Sequence, residues 1–128
     1  MEKYKRLPDS ELDIMLILWN GHPDMSRLEV QTVIRRKKPL AATTVQTLLT
    51  RLEKKKFVSC RKDGQTNRYT PLISREAYQH AESKSTLERL YGNSLENFIA
   101  ALYTGKTLTS EKKNELDEFI QTLESKEE

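Results

Sequence analysis

The chain has 128 residues, 36% hydrophobic and 32% charged, enough for one domain or for two small ones that lean on each other or on a partner chain, and too few apolar residues for two independent cores. A single cysteine, Cys60, leaves no internal disulfide and no thiolate metal cluster within one chain, and no run approaches the roughly 18 apolar residues of a membrane helix, so membrane insertion is not expected. The net charge of +3 conceals an asymmetry: residues 1–75 carry 16 Lys/Arg against 8 Asp/Glu and residues 76–128 carry 6 against 11, which directs the N-terminal part toward a polyanion and gives the C-terminal part another task.

The opening MEKYKRLPDSE lacks the apolar core of a signal peptide, so a reduced cytoplasm is the expected location. Pro8, Asp9 and Ser10 announce a first helix, with Asp9 or Ser10 as N-cap and Glu11 and Asp13 suited to the positive end of its dipole. Leu12, Met15, Leu16 and Trp19 recur at helical spacing and are expected to face the core, with Ile14, Ile17 or Leu18 at its edges. Asn20-Gly21-His22-Pro23 stops this helix, with Gly21 as its C-terminal cap. Ser26 and Glu29 form a capping box that starts a second helix, buried through Val30, Val33 and Ile34. Arg35, Arg36, Lys37 and Lys38 close it before Pro39 and serve chiefly the negative end of the helix dipole and solubility.

The stretch Ala42 to Lys55, ATTVQTLLTRLEKK, is the most informative in the chain. Val45, Leu48, Leu49 and Leu52 fall on one helical face. The opposite face carries Thr43, Gln46, Thr47, Thr50, Arg51 and Lys54 and no carboxylate; the only acid in the stretch is Glu53. Hydroxyls and an amide can bond base edges, cations can meet phosphates, and no negative charge on that face opposes the approach. A rod of about 21 Å suits a major groove. The bland alternative is a solvated helix of a small all-α domain.

Two helices joined by Pro39-Leu40-Ala41, the second bearing that face, make a helix-turn-helix. The period then changes. Phe57 to Arg61 alternates, Asp63-Gly64 signals a hairpin, and Thr66 to Leu72 returns as a second strand. Three helices followed by a two-stranded hairpin is the order of a winged helix, which places Arg61, Lys62 and Arg68 on the wing against phosphates.

From Ser74 the pattern is helical again: Ala77, Ala81, Leu87, Leu90 and Tyr91 on a long polar helix ending near Gly92, then Leu95, Phe98, Ile99, Leu102 and Tyr103 on a short helix stopped by Gly105. Thr109 opens a last helix with the stripe Leu116, Phe119, Ile120 and Leu123. About fifty residues cannot build a private core of useful size, so these stripes are expected to bury against a second copy of the chain. The expected fold is therefore mainly α (α+β): a winged-helix DNA-binding domain over 1–73, with a two-stranded wing, and a small helical dimerisation domain over 74–128.

The segments LPDSELDIMLILW, TTVQTLLTRLEKKKFV and KDGQTNRYTPL resemble the penicillinase-repressor family, the BlaI/MecI/CopY group of transcriptional regulators, over about Leu7 to Leu123. Glu11, Met15 and Trp19 match its first-helix spacing; Thr44, Thr47, Leu48, Arg51, Leu52, Lys54 and Lys55 match its recognition helix. The resemblance implies a repressor that binds palindromic double-stranded operator DNA as a homodimer, with Thr43, Thr44, Gln46, Thr47 and Arg51 as recognition residues and the C-terminal helices as the dimerisation region. The chain departs from the family's Ser-Pro-Lys-Thr helix start, having Ala41-Ala42-Thr43-Thr44, and carries Lys56 where many relatives have glycine. Relatives that control β-lactam resistance are relieved by a sensor or protease that cuts an Asn-Phe bond; Ala101-Leu102 stands at that place here, and Asn97-Phe98 lies one helical turn earlier. The end ESKEE lacks the cysteines of copper-responsive relatives.

The competing classes are weak. His22 and His80 have no partner set by spacing, Cys60 sits on a wing strand, and Trp19 reads as core, so no catalytic residue, metal ligand or cofactor is expected. A basic/acidic adaptor that binds proteins lacks the steep salt dependence of a multi-phosphate contact, which separates it from a DNA binder. A winged helix that activates transcription is separated from a repressor by a reporter.

Overall fold

The computed structural model describes residues 5–103 and 109–127. Its elements in chain order are α1 (Asp9–Asn20), β1 (Met25–Ser26), α2 (Arg27–Ile34), α3 (Ala42–Lys54), β2 (Val58–Asp63), β3 (Thr66–Pro71), α4 (Arg75–Tyr91), α5 (Leu95–Leu102) and α6 (Ser110–Glu127). They fall into two compact units, Met1–Lys84 and Ser85–Glu128.

In the first unit the expected helices form with three local corrections, all in α1. The N-cap of α1 is Pro8, without a side-chain cap, because Asp9 and Ser10 are already helical. Its buried stripe is Glu11, Ile14, Met15 and Leu18, one position away from the Leu12, Met15, Leu16 and Trp19 expected from spacing. Polar anchors set this rotation: Lys55 Nζ pairs with buried Glu11 at 2.6 Å, and half-buried Trp19 donates its indole N–H to the Ile73 carbonyl at 2.9 Å. Gly21 does end α1, but in an extended conformation (φ −92°), not a left-handed cap. It serves close approach instead, since a Cβ there would lie 2.3 Å from Met25 Sδ and 3.0 Å from the Ile17 carbonyl.

The capping box of α2 forms in full: Ser26 Oγ accepts the Glu29 N–H at 3.2 Å and Glu29 Oε1 accepts the Ser26 N–H at 3.0 Å. Its buried residues are Val30, Gln31 and Ile34, with Val33 half-buried. The α3 stripe Val45, Leu48, Leu49 and Leu52 is buried throughout. Beyond α3, Lys56 adopts φ +64°, its N–H bonds the Glu53 carbonyl, and the Phe57 N–H bonds the Leu52 carbonyl at 2.9 Å. This pair of hydrogen bonds is a Schellman stop, sealed by buried Leu52 and Phe57, and it turns the chain into β2.

The hairpin of β2 and β3 runs antiparallel with Cys60 opposite Tyr69 and Arg61 opposite Arg68, its turn helped by Gly64 at φ +64°. The expected two-stranded wing is this hairpin, and a third strand, β1, pairs with β3 through Met25↔Tyr69 and Ser26↔Arg68, so the sheet order is β1-β3-β2. Two residues are too few to show a period in sequence. The core of this unit joins α1, α2, α3 and the sheet with Leu7, Ile73 and Tyr78; the Tyr78 hydroxyl accepts the Leu7 N–H at 2.9 Å and its ring meets Trp19 and Phe57.

In the second unit α5 is capped by Ser94 and begins beyond Gly92 and Asn93, both at positive φ. Thr109 Oγ1 accepts the Lys112 N–H at 3.1 Å at the start of α6. Gly105, the expected stop of α5, lies outside the described residues. No residue of α5 is buried, and Tyr91 and Phe98 meet edge to face at 5.4 Å. No helix among the described residues is long and apolar enough to cross a membrane.

Candidate DNA interface

Since the apolar side of α3 is spent entirely on the core, its other side is a surface held rigidly by the fold. Thr43, Thr44, Thr47, Arg51 and Lys54 are exposed on it, and Gln46 and Thr50 are half-buried at its edge. The helix starts on Ala41, which offers no side-chain cap, and its first turn contains no acid. The orphan N–H groups there form the positive end of the helix dipole. Thr47 Oγ1 donates to the Thr43 carbonyl at 2.9 Å, which spends its one hydrogen and leaves its lone pairs as acceptors.

Gln46 and Thr50 do not stand free. Gln46 Nε2 donates to the Tyr69 hydroxyl at 3.0 Å and lies 3.3 Å from Thr50 Oγ1, which itself donates to the Gln46 carbonyl at 2.9 Å. Tyr69 is 2% exposed, and burial pushes its phenol up from the ordinary value. Strand β3 therefore reaches across to the recognition side of α3 through one hydroxyl. Spacing alone does not find Tyr69, but its place as the inward aromatic of an alternating strand is the available signal.

The three wing cations differ in their engagements. The Arg68 guanidinium bonds Asp63 at 3.0 Å, the Asp24 carbonyl at 3.2 Å and Glu29 at 3.5 Å, so it ties β3 to the turn end of β2 and to the start of α2. Arg61 lies 3.3 Å from Asp24, and Lys62 pairs with no carboxylate among the described residues. Asp24, at φ +61°, accepts the Thr70 hydroxyl at 2.7 Å, the main reason its carboxyl is held below the usual range. Glu29 is pulled down to about 2, first by the Ser26 N–H and then by His22, whose Nε2 lies 2.5 Å away. The same contact raises His22 above its ordinary value. Of the basic run after α2, Lys38 is paired with Asp13 of α1 at 2.8 Å, while Arg35, Arg36 and Lys37 are exposed.

No group of three or more His, Cys, Asp and Glu among the described residues could hold a metal ion. A cleft of about 290 Å³ between α1 and α2, lined by Leu16, Ile17, Met25 and Val33, lies apart from the polar face of α3.

The penicillinase repressor family model matches residues 7–122. The penicillinase repressor of Bacillus licheniformis is 30% identical over 121 residues, which span 94% of each chain. The solution structure of the DNA-binding domain of the repressor BlaI superposes with a TM-score of 0.53 at 32% identity, covering 61% of this chain and 94% of that one. The monomeric form of Bacillus licheniformis BlaI in complex with the blaP half-operator gives a TM-score of 0.51, also at 32% identity and over the same shares of the two chains. The family model reaches residues of both units, and the chain belongs to the penicillinase repressor family, a family of transcriptional repressors and not of enzymes.

Proposed function

We propose that the chain is a sequence-specific DNA-binding transcriptional repressor that binds a palindromic promoter operator as a homodimer and excludes polymerase from it. The observation that carries this reading is α3: its apolar side is buried, and its outward side offers hydroxyls, an amide and two cations without a carboxylate. A relative 32% identical to the chain has been solved on a half-operator, which supports placing α3 in the major groove. In this reading Thr43, Thr44, Gln46, Thr47, Thr50, Arg51 and Lys54 face the groove, and Arg61, Lys62 and Arg68 approach the backbone, Lys62 being the one without an acidic partner among the described residues. Residues 1–73 form the DNA-binding domain, and residues 74–128 bring two copies together through Leu95, Phe98, Ile99, Leu102, Leu116, Phe119, Ile120 and Leu123. An unidentified sensor or protease relieves repression in this reading, without the family's Asn-Phe bond, since Ala101-Leu102 stands at that place. The protein would work in the cytoplasm, where the operator is.

Selection from random duplex DNA with the purified full-length protein tests the reading. A two-fold symmetric motif, bound with a steep decline in affinity as salt rises, is expected. Retention of DNA without any motif, lost at moderate salt, would leave only a non-specific polycation. A promoter carrying the motif should be silenced in a reporter strain that expresses the protein.

A further inference from the structure

We propose that Tyr69 is a positioning residue that locks the amide of Gln46 so that α3 presents a carbonyl oxygen, and no donor, to the base beside it, selecting adenine or cytosine over guanine or thymine on the strand that Gln46 faces. This rests on the reading of α3 as the recognition helix.

The hydrogens can be assigned one at a time. Thr50 Oγ1 gives its only hydrogen to the Gln46 backbone carbonyl at 2.9 Å, so it shows the Gln46 side chain lone pairs alone. An amide oxygen turned toward those lone pairs would be repelled, whereas the amide nitrogen, 3.3 Å away, is attracted. The same nitrogen donates to the Tyr69 hydroxyl at 3.0 Å. Both hydrogens of the amide are thereby spent on the protein, and Oε1 is what remains. Tyr69 cannot swing aside to release them. Its ring is buried in the core of the wing sheet, held between Met25 on β1 and Cys60 on β2 by strand register.

An unrestrained glutamine shows a donor and an acceptor together and takes adenine through N6 and N7. An acceptor alone bonds any amino group on the major-groove edge, which adenine and cytosine have and guanine and thymine lack. Each base pair holds one such base, so the lock decides which strand must carry it. It also makes Thr50 part of the reading apparatus without requiring it to touch DNA.

The test uses the full-length protein and its Gln46→Ala, Tyr69→Phe and Thr50→Val variants in parallel random-duplex selections, with thermal unfolding of each variant as a check on folding. Gln46→Ala should flatten one position in each half-site, and the wild type should prefer A or C there by on the order of fivefold or more. Tyr69→Phe and Thr50→Val should each erode that preference and leave the other positions intact, a pattern that general destabilisation does not produce. If Tyr69→Phe unfolds, Thr50→Val decides by itself. A preference for G or T at the position, no position flattened by Gln46→Ala, or an unchanged preference in the folded variants overturns the assignment while the symmetric motif, and with it the repressor reading, stands. No motif from the wild type removes both.

Discussion

Lys56 carries a side chain in a backbone conformation that favours glycine: φ is +64° at the C′ position of the Schellman stop after α3. A Cβ in this region costs about 1–2 kcal/mol, while a glycine adds roughly 0.4–1 kcal/mol of unfolded-chain entropy. Lys56→Gly should therefore stabilise the protein by about 0.5–1 kcal/mol, read as a raised urea midpoint at unchanged slope. The need for a left-handed residue here was legible in the sequence from the family's glycine.

His22 was not legible in the same way. In sequence it is a turn residue beside Pro23, and only the fold brings its Nε2 to Glu29 at the capping box of α2. The Glu29 hydrogen bond raises its folded-state value, so its contribution to stability is full below about 6.5, the unfolded value, and disappears as pH rises through the folded one. The carboxyl has the opposite sense. Glu29 titrates at about 2 when folded and contributes above its ordinary 4.5, losing that contribution as pH falls toward 2. Comparing His22→Gln with the wild type by urea unfolding across pH should show a deficit between about 4.5 and 6.5 that closes above the folded value of His22. A deficit equal at pH 5.5 and 8.5 would mean that the imidazole acts through shape and not charge.

Arg51 is exposed on the proposed groove-facing side of α3 and belongs to the same test of chemistry. If it bonds a guanine, Arg51→Ala should lose about 1–3 kcal/mol on operator DNA and relax one position of the motif. An equal loss on operator and random DNA would make it a phosphate clamp. Titrations of both duplexes at one fixed salt concentration distinguish the two.

At the scale of elements, the face of α3 was legible because every constraint on it is local: four apolar residues on one face, all buried, and polar residues opposite. The rotation of α1 was not, because tertiary contacts decide it. Its stripe includes Glu11, 3% exposed, and spacing arguments treat such a residue as solvent-facing. The acid is bonded to Lys55, the residue just after α3, so an ion pair joins the first and third helices beside their apolar contacts. Removing the cation leaves a buried carboxylate alone. Lys55→Met should cost about 1–3 kcal/mol, below the roughly 3–5 kcal/mol of a fully buried pair because the lysine is half-exposed. The double change Glu11→Leu with Lys55→Met should recover much of that loss, since replacing a buried pair by apolar groups is often near neutral. Denaturant midpoints of the two single variants and the double variant complete the cycle; additive losses would show that the pair is not coupled. Strand β1 escaped the sequence for a different reason. It exists because Asp24 at φ +61° aims two residues at β3, and neither the turn nor the pairing leaves a pattern in the residues themselves.

The two units differ in how they bury their apolar residues. In the first, sixteen hydrophobic residues are buried in one cluster, which ends in sequence at Tyr78. Among the described residues the second leaves its stripes exposed: Leu95 is 55% exposed, Leu102 62% and Phe119 53%. Exposed apolar residues in sequence register on two helices are costly to leave in water and mark an interaction surface. A second copy of the chain is the partner proposed for them, because two recognition helices held about one turn of DNA apart multiply the affinity of one. The periodicity of these stripes was visible in the sequence, while their exposure was not, since a stripe looks the same whether a core or a second chain covers it. The proposed dimer makes a joint prediction about mass and binding. Leu102→Asp and Phe119→Asp should each halve the sedimentation mass. They should also lower the affinity for a full palindrome by on the order of 10²–10⁴, toward that for a half-site, while half-site binding changes little because α3 and its supporting core are untouched. An unchanged mass with an unchanged palindrome affinity would move the dimer contact elsewhere; an unchanged mass with weakened half-site binding would instead tie these stripes to the integrity of the DNA-binding unit.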